Sequence, residues 1–441
     1  MKRKMTKLAI TLVMAISLLL SPAMALAENT DSQKLDYLAL GDSLAAGRTP
    51  FGQHDKGYTD FIAGQLNKMN KLASFEKRFA VSGYTTSDIL HDIQTNVEKE
   101  DSAGQTLAIK DAIQNAEMIT LDAGANDVLQ QIQFNETTGE AVFDQQALVA
   151  ALNGVKENLV TILTEIKSLN PSADIYIMGY YNPLPYLPQQ TQSQLLPLLT
   201  ILNSTISGAG QAFSVKFVPT ADAMASAVAQ NPGDYLPNPK DIHPSEAGYL
   251  VLANEFWKTI NVKNKIQFTD EIQDWAKDEV NFLVEKGIIN GFENGKFGAD
   301  EPIKRLHSAI MLDRAIVYNE QPAANPGYID VIDTSDGYSI VAKLTEQGIF
   351  AGDNQYFYPN QSLTRAQMAK ILVTAFHLQG SAAHSFTDVN TTHWASDYIS
   401  ILSDKKIING YADGSFKPDQ SITRAEFSVM LSRVINKSFI E

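Results

Sequence analysis

Three copies of one sequence pattern, about sixty residues apart, fill the second half of the chain. The copies are EKGIINGFENGKFGADEPIKRLHSA (285–309), EQGIFAGDNQYFYPNQSLTRAQMA (346–369) and DKKIINGYADGSFKPDQSITRAEFS (404–428). Equivalent arginines and aspartates recur at intervals of 58 to 60 residues: Arg305, Arg365 and Arg424, and Asp270, Asp330 and Asp388. A regular period means that one structural unit is used three times, and that each unit buries its apolar face against its neighbours. The sequence therefore predicts three repeats, over residues 266–322, 326–380 and 384–441.

The residues before the repeats alternate short apolar runs with amphipathic stretches. The predicted strands are Tyr37–Leu40, Phe79–Val81, Met118–Leu121, Ile175–Met178 and Val215–Val218. Helix-like segments, such as residues 148–169, separate most of them. This alternation predicts an α/β domain with a largely parallel sheet over residues 28–262. Reactive groups in such sheets lie at the carboxyl ends of the strands.

The N-terminus predicts export. Four basic residues precede an apolar run over residues 8–20, which is followed by Pro22 and the triplet Ala25-Leu26-Ala27. This is the pattern of a secretory signal peptide over residues 1–27, cleaved after Ala27. The apolar run is shorter than the ~20 residues that a membrane span needs, so we expect no transmembrane segment after cleavage.

Cysteine content and net charge exclude disulfides and argue against some partners. The chain has no cysteine, so it forms no disulfide and carries no lipidated cysteine. Without residues 1–27 it keeps 31 basic and 50 acidic side chains, a net charge of −19. Such a surface argues against nucleic acid as a partner.

Polar residues follow the predicted strands in an order that suits nucleophilic catalysis. Ser43 follows the first strand in ALGDSLAAG, Gly83 follows the second, Asn126 follows the third in GAND, and Asp241 and His243 lie near the domain end in DIHP. A serine hydroxyl needs a base such as neutral histidine, and the histidine needs a partner that fixes its tautomer. The backbone N–H groups of Ser43 and Gly83 and the Asn126 amide are candidate donors to the oxyanion of an attacked ester.

Each of these signals also has a plainer interpretation. His243 beside Pro244 is typical of a helix entry, Asn126-Asp127 of a helix cap, and Gly83 of a strand-end turn. Their joint occurrence after successive strands favours the catalytic interpretation.

The four stretches resemble the sequence blocks of the SGNH or GDSL family of serine esterases and lipases, in that family's order, over about residues 35–260. The resemblance implies a flavodoxin-like α/β/α sandwich. It also implies Ser43 as nucleophile, His243 as base, and Gly83 and Asn126 as oxyanion donors. No metal or organic cofactor is expected.

The acidic partner of the histidine departs from the family pattern. The family usually places its acid three residues before the histidine, where this chain has Lys240. Asp241, two residues before, is the predicted acid. Asp234 is the reserve, and a backbone carbonyl is a third alternative.

The sequence leaves the ester substrate open. Residues 180–202, YYNPLPYLPQQTQSQLLPLLTIL, could wall an acyl pocket or form a lid, but their leucine spacing suits an amphipathic helix packed on the sheet equally well. An apolar wall favours acyl esters or lipids, whereas other members of the resembled family deacetylate sugars.

The repeats resemble S-layer homology domains, through FTD with a following Trp-Ala, INGY.DG.F.P and TRAE. The resemblance implies a mainly helical, pseudo-threefold unit that attaches exported proteins to secondary cell-wall polysaccharide, often through pyruvylated sugars. The predicted polysaccharide-binding residues are Arg305, Arg365 and Arg424.

Helix capping and ligand binding can coexist in these repeats. Thr423 with Glu426, and Thr364 with Gln367, have capping-box spacing. We expect Arg365 and Arg424 to point outward beside exposed N–H groups, where a carboxylate such as a pyruvyl ketal would bind. The first copy, KRLH at 304–307, lacks the capping threonine and the acid, so its groove either binds weakly or only completes the core.

The whole chain is thus interpreted as a secreted bacterial serine esterase or lipase, held at the cell wall of a Gram-positive type envelope. One alternative is a carbohydrate O-deacetylase acting on wall glycans. The other is a non-catalytic, S-layer-type surface protein that binds glycans or mediates adhesion.

Overall fold

The computed structural model describes residues 34–135, 138–319, 321–380 and 386–440. The signal peptide predicted over residues 1–27 lies outside these residues. Within them, no helix is long and apolar enough to cross a membrane.

The first half of the chain alternates strands and helices. Its elements in chain order are β1 (Leu35–Gly41), α1 (Ser43–Ala46), α2 (Tyr58–Lys68), β2 (Leu72–Glu76), α3 (Thr86–Thr95), β3 (Glu98–Glu100), β4 (Thr106–Ala108), α4 (Ile109–Asn115), β5 (Met118–Asp122), α5 (Ala125–Leu129), β6 (Ile132–Phe134), β7 (Ala141–Phe143), α6 (Gln145–Leu169), β8 (Asp174–Met178), α7 (Gln189–Gln211), β9 (Lys216–Val218), α8 (Ala221–Gln230), α9 (Pro232–Tyr235) and α10 (Glu246–Thr259).

Five of these strands form a parallel sheet in the order β2-β1-β5-β8-β9. Helix α6 packs with α3, α4 and α7, and helix α10 packs with α2 and α8, so helices cover both faces. The strand order is that of a flavodoxin-like sheet, which confirms the predicted α/β/α sandwich. From β1, the chain adds β2 on one side of the sheet and then β5, β8 and β9 on the other, so the strand order reverses between β1 and β5. The ends of these two strands are level because Gly41 pairs with Asp122. Ligand sites in open α/β sheets lie at this switch point.

One predicted strand is wrong. The strand beside β1 is β2, Leu72–Glu76, whereas Phe79–Val81 contributes only an isolated bridge between Ala80 and Gly41. Strand β2 is at the sheet edge and half-exposed, so its sequence LASFE lacks the apolar run that marks a buried strand.

The second half consists of three helix pairs: α11 (Asp274–Glu285) and α12 (Arg305–Ala315), α13 (Tyr338–Glu346) and α14 (Arg365–Ala375), and α15 (Ser396–Asp404) and α16 (Arg424–Ile435). The capping boxes predicted at Thr364 and Thr423 are confirmed. Helix α12 has no side-chain cap, as the sequence of the first copy predicts. The three pairs share one hydrophobic core, which confirms a mainly helical three-repeat unit.

The three repeats close into a ring. The second helix of each repeat packs against the first helix of the next, as α12 with α13, α14 with α15, and α16 with α11. Backbone hydrogen bonds repeat this cycle: Ile303 N–H donates to Ile422 O (3.0 Å), Ile422 N–H to Leu363 O (2.9 Å), and Leu363 N–H to Ile303 O (2.9 Å). Each repeat therefore contacts both others.

The two halves contact each other where helices α2 and α10 meet the ends of α11 and α12 and the segment after α12. The side chain of Asn254 exchanges hydrogen bonds with the backbone of Val317, at 2.7 and 2.9 Å. Trp257 Nε1–H donates to Arg314 O (2.8 Å). The buried Lys286 ammonium donates to Ile260 O (2.6 Å), just past the end of α10. These bonds fix the first repeat on α10, the helix that follows the DIHP motif.

Candidate active site

The turn between β1 and α1 presents Ser43 at the switch point. Asp42 is the N-cap residue of α1, and its Oδ1 accepts a hydrogen bond from Leu44 N–H (2.9 Å). Gly47 ends the helix with φ +81°, a conformation that glycine adopts without strain. Ser43 is thus the first residue of a short helix at the carboxyl end of a buried strand.

Ser43, His243 and Asp241 form a continuous chain of hydrogen bonds. Ser43 Oγ lies 2.7 Å from His243 Nε2, and His243 Nδ1 lies 2.5 Å from Asp241 Oδ1. The same carboxylate oxygen accepts the His243 backbone N–H (2.8 Å). Ser43 and His243 are buried, and Asp241 is partly buried. A carboxylate on one ring nitrogen and a hydroxyl on the other is the arrangement that lets histidine take the serine proton.

The alternative acid, Asp234, does not reach the histidine in the described residues. It lies exposed in α9, and its backbone carbonyl accepts the hydroxyl of Ser245. Tyr181 donates its phenol O–H to Ile242 O (2.9 Å), which fixes the backbone between Asp241 and His243.

The three predicted oxyanion donors lie on separate turns. Ser43 N–H has no hydrogen-bond acceptor among residues 34–135, 138–319, 321–380 and 386–440. Gly83 is exposed and has φ +86°, in the left-handed region. Asn126 lines the pocket beside Ser43 and donates one amide N–H to Tyr84 O (2.9 Å), so its second amide hydrogen remains available.

Asp127 connects the turn of Gly83 to helix α5. Its carboxylate accepts Thr86 N–H (3.0 Å) and Thr86 Oγ–H (2.6 Å). Together with the Asn126–Tyr84 bond, these contacts fix the Gly83 turn relative to α5. The helix-cap interpretation of Asn126-Asp127 is wrong. The N-cap of α5 is Gly124, and the Asp127 carboxylate accepts hydrogen bonds from Thr86 at the start of α3.

An apolar pocket, open to solvent at its mouth, lies beside Ser43. Its walls include Ile132 and Phe134 of the β6–β7 hairpin, and Leu195, Leu199 and Leu202 of α7. Helix α7 also packs on β8, β9 and α6. Both interpretations of residues 180–202 thus hold in part, because one face of the helix covers the sheet and its N-terminal half walls the pocket. Residues 175–215 contain no Asp, Glu, Lys or Arg. This uncharged stretch is the sequence signal for the pocket, and the motifs do not include it.

A second carboxyl group beneath Ser43 was also missed. Asp122 ends β5, has no solvent exposure, and its Oδ2 accepts the backbone N–H of Asp42 (3.3 Å). Burial and the neighbouring charge of Asp42 raise the pKa of Asp122 well above its usual range. A Cβ atom at Gly41 (φ +152°) would lie 2.2 Å from Asp122 Oδ1, so this carboxyl group requires glycine there. An acidic residue closing a buried strand is the sequence signal that points to it.

No metal site is evident in the described part of the chain, where no three His, Cys, Asp or Glu side chains converge as ligands.

The arginines of the repeats do not point outward. Arg305, Arg365 and Arg424 are 6%, 3% and 6% exposed. Their backbone N–H groups donate to carbonyls of a neighbouring repeat, those of Gln361, Gln420 and Glu301 in the same order. The expectation of free side chains beside exposed N–H groups is therefore wrong, because closure of the ring satisfies these helix ends.

Two of the three guanidinium groups are hydrogen-bonded within the ring. Arg305 donates to Phe357 O (2.8 Å) and Ala351 O (2.9 Å). Arg365 donates to Phe416 O (2.7 Å) and lies 3.5 Å from a Glu426 carboxylate oxygen.

Arg424 differs from the other two. Its guanidinium carbon lies 4.7 Å and 5.3 Å from the ring centroids of Phe292 and Phe297, and the guanidinium nitrogens donate no hydrogen bond within the described residues. Burial lowers the pKa of Arg424 to about 10. Burial, and the charges of Arg424 and Lys304, lower the pKa of His307 to about 4. This groove, between the third and first repeats, holds a buried cation without a hydrogen-bonded anion.

Comparisons with known proteins divide the chain at the same place. Residues 39–251 match the GDSL-like Lipase/Acylhydrolase family, and residues 267–307, 328–369 and 385–428 match the S-layer homology domain. The Surface-layer 125 kDa protein of Lysinibacillus sphaericus is 35% identical over 184 residues, which are 40% of this chain and 16% of that protein. The chain spans a fifth or less of the first S-layer relatives it matches.

Similar solved structures each cover half of the chain. A lipase from a goat rumen metagenome is 22% identical, with a TM-score of 0.36, over 50% of this chain and 94% of that one. An acetylxylan esterase from Geobacillus stearothermophilus is 20% identical, with a TM-score of 0.37, over 50% of this chain and 92% of that one.

Proposed function

Because the chain joins a GDSL-like lipase/acylhydrolase domain to three S-layer homology domains, we propose that it is a bacterial cell-surface serine esterase that hydrolyses acyl esters. The observation that carries the proposal is the unbroken hydrogen-bond chain from Ser43 through His243 to Asp241. We place the hydrolase domain at residues 28–262 and the repeats at 266–322, 326–380 and 384–441, behind a secretory signal peptide.

In the first step, His243 Nε2 takes the Ser43 proton while Ser43 Oγ attacks the ester carbonyl. Asp241 accepts from Nδ1, which keeps Nε2 free to take the proton and stabilises the resulting imidazolium. The oxyanion is stabilised by Ser43 N–H, Gly83 N–H and the second amide hydrogen of Asn126. Removing one such donor typically costs about 3 kcal/mol of transition-state stabilisation.

Collapse of the tetrahedral intermediate expels the alcohol, which takes the proton from His243, and leaves an acyl group on Ser43. A water molecule then attacks the acyl-enzyme while His243 acts as base, and a carboxylic acid and free Ser43 result.

The apolar pocket supports an ester of a longer acyl chain, rather than an acetyl ester, as substrate. It adjoins Ser43 and is lined mainly by Leu, Ile, Phe and Val side chains. An acetyl group would leave such a pocket unfilled, whereas a longer acyl chain would remove apolar surface from water.

The proposal is tested with the mature protein, its Ser43→Ala variant and a series of p-nitrophenyl esters from acetate to long acyl chains. We expect hydrolysis by the wild type, its loss in Ser43→Ala, and labelling of Ser43 by a fluorophosphonate. Ser204→Ala, an exposed serine on α7, is the matched control and should behave as wild type. Hydrolysis of acetate alone would favour a deacetylase, and a folded wild type that neither hydrolyses nor reacts with the probe would favour a binding protein.

For the repeats we propose attachment to an acidic secondary cell-wall polysaccharide, such as a pyruvylated one, of a Gram-positive type envelope. Of Arg305, Arg365 and Arg424, Arg424 is assigned the direct contact. Its buried guanidinium has unused donors, and a sugar carboxylate would satisfy them.

The attachment is tested by pelleting the full mature chain with purified cell walls. We expect Arg424→Gln to abolish pelleting, and mild-acid removal of ketal groups from the walls to do the same. Arg365→Gln is the matched control, because that guanidinium is already bonded within the ring. Circular dichroism shows whether each variant is folded, and a folded Arg424→Gln that pellets as wild type contradicts the assignment.

A further inference from the structure

The three arginine grooves of the ring differ at one equivalent position. Each arginine lies against the next repeat, and Glu426 of the third repeat lies 3.5 Å from the guanidinium of Arg365 in the second. Glu426 is two places after its own repeat's arginine, so the pseudo-threefold arrangement puts the equivalent residue of each repeat toward the arginine before it. For Arg305, Arg365 and Arg424, this residue is Gln367, Glu426 and His307, respectively.

In the first two grooves the guanidinium is satisfied within the ring. Arg305 Nε–H donates to Phe357 O (2.8 Å), and Arg365 Nε–H donates to the equivalent carbonyl of Phe416 (2.7 Å). The Arg305 guanidinium donates a second bond to Ala351 O, and the Arg365 guanidinium has the Glu426 carboxylate beside it. Neither groove presents a cation without a partner.

The third groove lacks both kinds of partner. The equivalent carbonyl belongs to Phe297, yet Arg424 Nε is buried and makes no hydrogen bond within the described residues. The guanidinium lies over the Phe292 ring, and the imidazole of His307 lies against the same ring, with 5.6 Å between the ring centroids. The position that holds a carboxylate in the second groove thus holds an imidazole here. Arg424, which is 6% exposed, therefore has no counter-charge at this position.

The surrounding charges leave the third groove positive. Lys304 on the same segment as His307, and Arg314 at the end of α12, add two positive charges to that of Arg424. Glu301 and Asp270 act on Arg424 only through their charge. Both oxygens of Asp270 accept backbone N–H groups, at 2.6 and 2.7 Å. Three cations thus face two acids, and an anion that enters the groove gains a guanidinium whose donors are unused.

We propose that His307 is the specificity-determining residue of the repeats: by placing an imidazole where the second groove has Glu426, it makes the Arg424 groove, alone of the three, a site for the carboxylate of an acidic sugar. The inference rests on the proposed attachment and gives the reason why one groove binds. The first repeat, whose helix start departs from the TRAE pattern, is accordingly the copy that completes the binding groove.

A pair of sugars that differ only in charge tests the groove in the full mature chain. One is a methyl galactoside that bears a pyruvyl ketal with a free carboxylate, and the other is its methyl ester. In isothermal titration calorimetry, we expect one molecule of the acid to bind per chain, and the ester to bind about tenfold more weakly or worse.

The same charge change at two equivalent positions tests the role of His307. His307→Glu should weaken binding of the acid about tenfold or more, because the new carboxylate would pair with Arg424 as Glu426 does with Arg365. His307→Gln carries no charge and should bind the acid more tightly than His307→Glu by about fivefold or more. Gln367→Glu is the matched control, because it adds the same charge to the first groove, and it should bind as wild type.

Three results overturn the inference: a folded His307→Glu that binds as wild type, a Gln367→Glu as impaired as His307→Glu, or three molecules bound per chain. Circular dichroism shows whether each variant is folded. A chain that binds the acid but does not pellet with cell walls supports the inference and contradicts only the proposed attachment. A chain that pellets but does not distinguish the acid from the ester contradicts the inference and leaves the attachment standing.

A measurement without ligand tests the placement of His307. The imidazole is titrated by NMR in the wild type and in Arg424→Gln, with its signal assigned by its absence in His307→Gln. Because the charge of Arg424 is one cause of the lowered pKa of His307, we expect this pKa to rise in Arg424→Gln. An unchanged pKa would mean that the two side chains do not share the groove, and would overturn the inference even if His307→Glu does not fold.

Discussion

The apolar pocket beside Ser43, which we propose holds the acyl chain, predicts a chain-length preference that one substitution should remove. Leu195 lies on α7, is half-buried, and lines the pocket. Replacing it with tryptophan adds an aromatic side chain to the pocket wall without changing Ser43, His243 or Asp241. Leu195→Trp should therefore exclude long acyl chains and leave short ones unaffected.

The size of the effect follows from the burial of methylene groups. Each methylene taken from water contributes about 0.8 kcal/mol, so the four that separate butyrate from octanoate contribute about 3 kcal/mol when fully buried. The mouth is partly open, because Leu196 on the same wall is 42% exposed. Taking half of that free energy gives a preference for octanoate of about 15-fold in kcat/KM.

The assay is the ratio of kcat/KM for p-nitrophenyl octanoate and butyrate. Leu195→Trp should bring this ratio to within about threefold of unity by reducing the octanoate value alone. Ile201→Trp is the control, since Ile201 lies on the same helix, is 48% exposed and does not line the pocket. A wild-type ratio near one, or an equal loss on both esters in Leu195→Trp, would refute the assignment of the pocket to the acyl chain.

Three further outcomes are expected. Asp241→Asn keeps the shape of the acid but not its charge, so steady-state kinetics should show kcat reduced by about 10³ or more; an unchanged kcat would assign the role to another group. Burial opposes ionisation of Asp388, but two backbone N–H donors lower its pKa, so its stabilisation is present above ~pH 4 and is lost as the pH falls. Asp388→Ala should then lower stability to urea by about 1 kcal/mol at pH 7, and by much less near ~pH 3. Burial and the charge of Lys216 lower the pKa of Lys286 to about 7. Between that pH and ~pH 10 the unfolded chain binds more protons than the folded chain, so the contribution of Lys286 to stability rises with pH. In Lys286→Met this rise in Tm should disappear, and an unchanged slope would mean that the lysine stays protonated in the folded chain.

Much of the hydrolase fold could be predicted because its signals are local. Apolar runs and amphipathic stretches alternate wherever a parallel sheet is covered by helices, and β1, β5, β8 and β9 follow that rule. Strand β2 does not, because an edge strand with half-exposed residues needs no apolar run. The misplaced strand at Phe79–Val81 is the nearest apolar triplet, and it lies just past the true strand.

The site could be predicted to the extent that it depends on strand ends. Ser43, Gly83 and Asn126 follow elements near the same edge of the sheet, and His243 comes before the last helix of the domain. Asp122 was missed because its role depends on the register that pairs it with Gly41, which motif spacing does not reveal. Arg424 was placed correctly along the helix but in the wrong environment, because a neighbouring repeat covers it.

The cyclic packing of the three repeats limits how such a module can change in copy number. In a linear array, a repeat can be gained or lost at either end, and the remaining stack keeps its internal contacts. Here the third repeat packs on the first, so excision of one copy would leave two apolar faces without partners and would interrupt the hydrogen bonds among Ile303, Leu363 and Ile422. A fourth copy would have no open face to join. Recombination that preserves a folded product must therefore transfer all three copies together, and a protein that acquires this anchor acquires it whole.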